Sequence, residues 1–253
     1  MFAAQFTSET ASDGVVERGF TLGEVPGVIW SPAAGSGRAP LVLVGHGGGT
    51  GLGAAGMAGR ARRLVLEGGF AVVAVDAPRH GDRPRTETDE RELAAMRRAL
   101  RAGEPAVPVV VRYIADIAER AVPEWRAVLD SLLVLPEFDG VPVGYFGLNM
   151  GTAIGVPLTA VDSRIKAAVF GQFWPETLVE AAGRVTVPVE FVLQWDDEHV
   201  DRRSALDLFD AFASKEKSLH ANAGGYKEVP RFETDSAIRF FARHLGGPAA
   251  AAA

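Results

Sequence analysis

Five short, largely apolar runs constrain this chain more than anything else in it: APLVLVG, FAVVAV, VPVGYFG, IKAAVFG and VPVEFVL, interrupted only by Lys166 and Glu190. Each stops at glycine or a polar loop, and helical patterns separate most of them. An amphipathic edge strand would alternate apolar and polar residues. A run apolar at every position belongs to a strand covered on both faces, and such strands occur in parallel sheets. Buried strands alternating with helices therefore predict an α/β fold, a mostly parallel, doubly wound sheet of about eight strands. Two strand-like runs, GVVERGFTL and GVIWSPA, precede the first buried run, with a turn at Glu24-Val25-Pro26-Gly27. Gly68-Gly69 ends the first helix, AAGMAGRARRLVLEGG. Residues 83–107 break the alternation with a charged helix bracketed by prolines, expected to form a small helical lid. A long amphipathic helix follows, with a kink expected at Pro123.

One domain, residues 1–247, is expected, and the alanine-rich tail 248–253 is excluded from the fold. A net charge of -6 and the lack of a basic stripe argue against a nucleic-acid partner. The arginines of GRARR (Arg60, Arg62, Arg63) and MRRALRAG read as solvated helix faces. The chain has no cysteine, so thiol nucleophiles and thiolate metal sites are excluded. The opening residues carry no charged and apolar signal pattern, and no apolar run approaches the roughly 20 residues a membrane span needs. The expectation is a cytoplasmic protein with no membrane partner and no cofactor; a homodimer is left open.

In such sheets ligands bind beyond the carboxyl ends of the strands, which singles out the loops after Gly45, Asp76, Leu148 and Trp195. The third loop reads Gly147-Leu148-Asn149-Met150-Gly151, the frame of a nucleophile elbow, G-x-S-x-G, with asparagine at its centre. Nearby strand ends carry His46, His80 and His199, and Trp174 follows the strand IKAAVFG. With Tyr113 and Met96 from the lid region, His46 and Trp174 are expected to line a mainly apolar small-molecule cavity. His46, His80, His199 and Asp197 lack a short ligand spacing, so no metal site is expected among them. His220 and His244 read as structural or surface residues.

Four motifs in order, GHGGG, GLNMG, QWDDE and NAGGYKEVP, make the chain resemble the α/β-hydrolase superfamily, especially small esterases and dienelactone-hydrolase-like members. The resemblance implies an oxyanion loop at Gly47 or Gly48 with Met150 as the second donor. It also implies an acid at Asp197 or Asp196, the other of the two capping the helix near Arg202, and Tyr226 where the base histidine should stand. An asparagine carboxamide cannot form an acyl-enzyme, and a tyrosine titrating near about 10 is a poor proton relay at neutral pH. His199 is the best substitute base, and Asn149 can add a side-chain N–H donor. Three functions fit: an enzyme that stabilises an oxyanion or enolate of a small apolar carbonyl substrate without a covalent intermediate, a non-catalytic binder of a ligand or partner, or an inactivated serine esterase.

Overall fold

The computed structural model describes residues 3–34 and 38–246. Nine strands form one sheet in the order β1-β2-β3-β5-β4-β6-β7-β8-β9. The strands are β1 (Gln5–Ser12), β2 (Val15–Leu22), β3 (Val25–Pro32), β4 (Leu41–Gly45), β5 (Ala71–Val75), β6 (Val143–Gly147), β7 (Ile165–Gly171), β8 (Val189–Gln194) and β9 (Lys217–Asn222). From β5 across to β9 every pairing is parallel; β1, β2 and β3 attach antiparallel at the β5 edge. The apolar runs are the buried parallel strands, with every residue of β4, β5, β6 and β8 buried.

The strand absent from the sequence expectation is β1. Its residues QFTSETAS are all exposed, so it has no apolar face to give a period. Its ladder to β2 places it, with Arg62 of α1 donating to the Ser12 carbonyl at its end at 3.1 Å. The ladder satisfies backbone groups whatever the side chains are, which is why pattern reading passed over it.

Helices α1 (Ala55–Gly68) and α7 (Phe232–Leu245) cover one face of the sheet. On the other face lie α3 (Ala106–Leu132), α4 (Met150–Val161), α5 (Val179–Ala182) and α6 (Arg202–Ala211). Gly69 ends α1 in the left-handed conformation, at φ 69°, where glycine carries no side-chain penalty. Pro123 sits inside a single helix, α3. Helix α2 (Glu87–Arg101) occupies most of residues 83–107 and packs on α3. One arginine departs from the solvated reading: Arg60 lies over the Phe146 ring, 4.8 Å from its centroid. Among the described residues, no helix is long and apolar enough to cross a membrane.

Candidate active site

The loops at the carboxyl ends of β4, β5, β6 and β8 converge on a cavity of about 1110 Å³, together with α2, α3 and the loop after β9. Its wall includes Gly48, His80, Met96, Tyr113, Asn149 and Trp174. Met96, Tyr113 and Trp174 lie together on this wall.

Asn149 stands at the turn between β6 and α4, with φ 61° and ψ -126°. The turn is tight because its flanks are glycines: a Cβ on Gly151 would lie 2.9 Å from the Gly45 carbonyl oxygen. Thr152, fully buried, ties the turn to β7. Its hydroxyl lies 2.8 Å from the Gly147 oxygen and 2.6 Å from the Gly171 oxygen, and accepts from the Gly171 N–H at 2.9 Å. The Asn149 N–H donates to the Gly171 oxygen at 3.0 Å. Outside glycine, positive φ occurs among the described residues at Asp13, Arg79, Asn149 and Gln172, and the last three all line the cavity. Such conformations cost free energy and persist where surrounding contacts impose them.

The expected oxyanion donors are arranged differently from the sequence reading. The Met150 N–H donates to Asn149 Oδ1 at 2.6 Å, so the side chain at the elbow takes up the main-chain amide. This fixes the carboxamide: Oδ1 faces the α4 N-terminus, and no acceptor among the described residues engages Nδ2. Gly48 lines the cavity, whereas Gly47 does not; the Gly47 carbonyl accepts from the Thr50 hydroxyl at 2.7 Å.

His46 is also a correction, because it is absent from the cavity wall. It is buried, its Nε2 accepts from the Ala77 N–H at 3.0 Å, and its Nδ1 lies 2.9 Å from the Gly47 oxygen. Both ring nitrogens are spent, Nε2 on tying the β4 loop to the β5 loop and Nδ1 within the β4 loop itself. Burial holds its pKa below the usual histidine value, so the ring stays neutral. Asp76 reinforces the same tie, accepting from the Leu52 N–H at 2.8 Å and the Asp82 N–H at 3.1 Å. Gly81 is required here: at φ 57°, a Cβ would overlap the Asp76 carboxylate.

His80 does line the cavity. Its Nδ1 lies 2.9 Å from the Pro78 oxygen, which leaves Nε2 without a partner among the described residues. Burial lowers its pKa too, helped by His46 and Arg85. The result is a neutral imidazole with one free lone pair, whereas both nitrogens of His46 are engaged.

Asp197 does not face the cavity. Its Oδ1 accepts from the His199 N–H at 2.8 Å and the Val200 N–H at 3.0 Å, closing its own loop. Neither aspartate of the pair caps α6. Asp201 does, accepting from Arg203 and Ser204 at 3.0 and 3.1 Å, while Asp196 Oδ2 lies 3.3 Å from the Gly224 nitrogen. A short carboxylate satisfies the nearest free N–H groups first, and here those belong to its own turn.

Tyr226 and His199 do meet at the cavity, edge to face, with centroids 4.9 Å apart. Burial, then the charges of Asp197 and Glu198, push the Tyr226 hydroxyl up to about 12. Tyr226 is therefore a donor at neutral pH. The His199 side chain is 55% exposed, with Glu198 3.8 Å away. No hydrogen bond among the described residues joins Asn149, Asp197 and Tyr226 into a triad.

Gln172, Glu198 and Arg79 are among the cavity residues that went unnoticed in the sequence. Gln172 donates from Nε2 to the Tyr226 carbonyl at 2.6 Å, and Glu198 accepts from the Tyr226 N–H at 3.0 Å. Between them they hold the last loop. Arg79 is buried, binds Asp89 through Nε at 2.6 Å, and lies 2.5 and 2.6 Å from Glu92 and Asp116. It joins the β5 loop to α2 and α3. Its positive φ and its scattered partners leave no local sequence signal; a lone PRHGD reads as a polar loop.

No model of a known protein family matches the chain, and no curated protein matches it. Solved structures do. The PEG-bound complex of a cold-adapted esterase from an Arctic intertidal metagenomic library is 34% identical, covering 95% of this chain and 99% of that one, with a TM-score of 0.76. An acetyl xylan esterase from Paenibacillus sp. R4 is 15% identical over 97% of this chain and 90% of its own, with a TM-score of 0.70. A dienelactone hydrolase from Anabaena variabilis is 17% identical over 96% and 99%, with a TM-score of 0.61. The last two share the fold alone. The esterase shares about a third of its residues along nearly its full length. The chain belongs to the α/β-hydrolase superfamily.

Proposed function

We propose that this protein is an enzyme acting on a small, largely apolar substrate that carries a carbonyl group, through a non-covalent route. The single observation carrying the reading is the Asn149 carboxamide, held by the Met150 N–H at 2.6 Å at the floor of a large cavity. Donation into Oδ1 polarises the amide, so Nδ2 becomes a stronger donor toward a developing oxyanion or enolate. The helix N-terminus then acts through the carboxamide rather than directly. His80 Nε2 is the group suited to take a proton from substrate or water. Tyr226 and His199 also line the cavity, the phenol as a donor. Hydrolysis by an activated water, cyclisation, lyase and isomerase chemistry all need these two elements, an oxyanion donor and a neutral base.

The test pairs chemistry with binding. A fluorophosphonate probe is expected to leave the elbow unlabelled, because no nucleophilic oxygen stands there. Against a panel of small lactones, enol esters and β-dicarbonyl compounds, wild type is expected to turn over at least one member. His80→Asn and Asn149→Asp should each lower that rate by about 100-fold or more. Stoichiometric labelling at the elbow, or variants as active as wild type, would refute the proposal.

A second reading, a binder without turnover, is favoured by the same Met150 contact, since a main-chain oxyanion donor is taken, and by Asp197 turning back on its own loop. Tight binding of panel compounds with no product from any of them would select it. The third reading, an inactivated serine esterase, predicts normal ester hydrolysis after Asn149→Ser with Tyr226→His.

A further inference from the structure

Well below the cavity, on the face covered by α7, three titratable side chains meet at the β8–β9 edge. Glu190 is the second residue of β8, His220 lies on β9 and Glu233 on the first turn of α7. Register puts Glu190 and His220 on one face, since Glu190 pairs with Ser218 and His220 with Val192. Glu190 lies four residues, or roughly 13 Å, from the end of β8 where the elbow-side loops begin.

The burial is unusual. Glu190 is 3% exposed and Glu233 4%, while the His220 side chain, at 28%, leaves the cluster open at one edge. His220 Nδ1 is 2.8 Å from Glu233 Oε2, and its Nε2 is 3.7 Å from Glu190 Oε2. The Ser236 hydroxyl donates to Glu190 Oε2 at 3.0 Å, but Glu190 Oε1 is buried with no hydrogen-bond partner. Two buried carboxylates share one imidazole, so with both ionised even a protonated ring leaves one negative charge uncompensated. Buried charges are normally paired or bound to a metal.

We propose that Glu190, His220 and Glu233 form a binding site for a divalent transition cation of the zinc class, separate from the cavity. One ligand atom from each residue lies within 4.8 Å of the other two. A tetrahedral ion with bonds of about 2.0–2.1 Å holds its ligand atoms roughly 3.3–3.4 Å apart, so the set closes by side-chain rotation of about 1.4 Å or less. An imidazole with two carboxylates suits zinc over calcium or magnesium, which prefer oxygen alone. Ser236 orients the Glu190 carboxylate as outer-shell partners of metal ligands do. The orphaned Oε1 gains a partner, and the open edge beside His220 admits the ion with its remaining water. The three residues sit on different elements with no short ligand spacing, so sequence reading assigned them no metal.

The experiment uses the full chain, stripped with a chelator and dialysed, then titrated with zinc against a chromophoric chelator. Cobalt absorption gives a second readout. Expected is one zinc per chain, with His220→Asn and Glu190→Gln weakening it by more than about 100-fold and Ser236→Ala by about tenfold. The cobalt bands should vanish in His220→Asn. Circular dichroism checks each fold, and Ser236→Ala at a polar margin keeps the test alive if a buried variant unfolds. The proposal is overturned if wild type binds no more zinc than His220→Asn. Equal affinity in every variant also overturns it, placing the ion elsewhere. A closed ion triad without metal gives the first of these results.

Discussion

Thr152→Val tests whether the elbow is held by the hydroxyl between β6 and β7. Valine keeps the shape, so the change isolates the polar contacts. The hydroxyl has one proton, shared between the Gly147 and Gly171 oxygens at 2.8 and 2.6 Å, and accepts one bond from the Gly171 N–H. Two bonds are therefore lost, at about 1 kcal/mol each. The Gly171 N–H is left buried beside a methyl group, which adds about 1 kcal/mol or more. The Gly171 oxygen keeps its bond from Asn149, so its loss is small. The new methyl is buried and returns about 0.8 kcal/mol. The balance is destabilisation of about 2 kcal/mol, or a fall in Tm of about 4–8 °C for a chain of this size. Thr152→Ser keeps the hydroxyl and loses one methyl, so it should cost about 1 kcal/mol. Urea unfolding and calorimetry read both. A valine variant as stable as wild type, or a serine variant worse than valine, refutes the reasoning.

Two further outcomes follow from other contacts. His46 and His80 both have folded pKa values below the unfolded one, so between the two values the unfolded chain binds more protons; stability is whole above about pH 6.5 and falls as pH drops. The urea midpoint should decline from about pH 7 to about pH 5, less steeply in His80→Asn, and a flat wild-type profile would contradict the assignment. Arg79→Met leaves the Asp89 carboxylate, 3% exposed, without its buried partner; Arg120 remains at 3.0 Å, so the loss should be about 3 kcal/mol, the low end for breaking such a pair. Thermal unfolding measures it, and Arg79→Lys should fall in between.

The elbow was legible because its signal is local: glycines at 147 and 151 around a residue at positive φ, after a buried strand. The roles around it were not. His46 and His80 look alike in sequence, each at the end of a buried strand. One is consumed by Ala77 and Gly47, while the other keeps a free nitrogen in the cavity. Asp197 matched the acid position in the family order, yet its carboxylate closes its own turn, and Glu198 beside it holds the Tyr226 loop.

Taken by itself, the sequence determined the parallel core of the sheet, its helical layers, the edge on which the loops gather and the absence of an attacking oxygen at the elbow. These follow from apolar periodicity, glycine conformation and the chemistry of a carboxamide, all written along the chain. Only tertiary structure decided that Asn149 caps Met150, that Arg79 joins three elements, and that Glu190, His220 and Glu233 share one buried corner. Hydrogen bonds a few ångströms long between residues far apart in sequence leave no period, and the nearest free donor or acceptor in space settles each side chain's role.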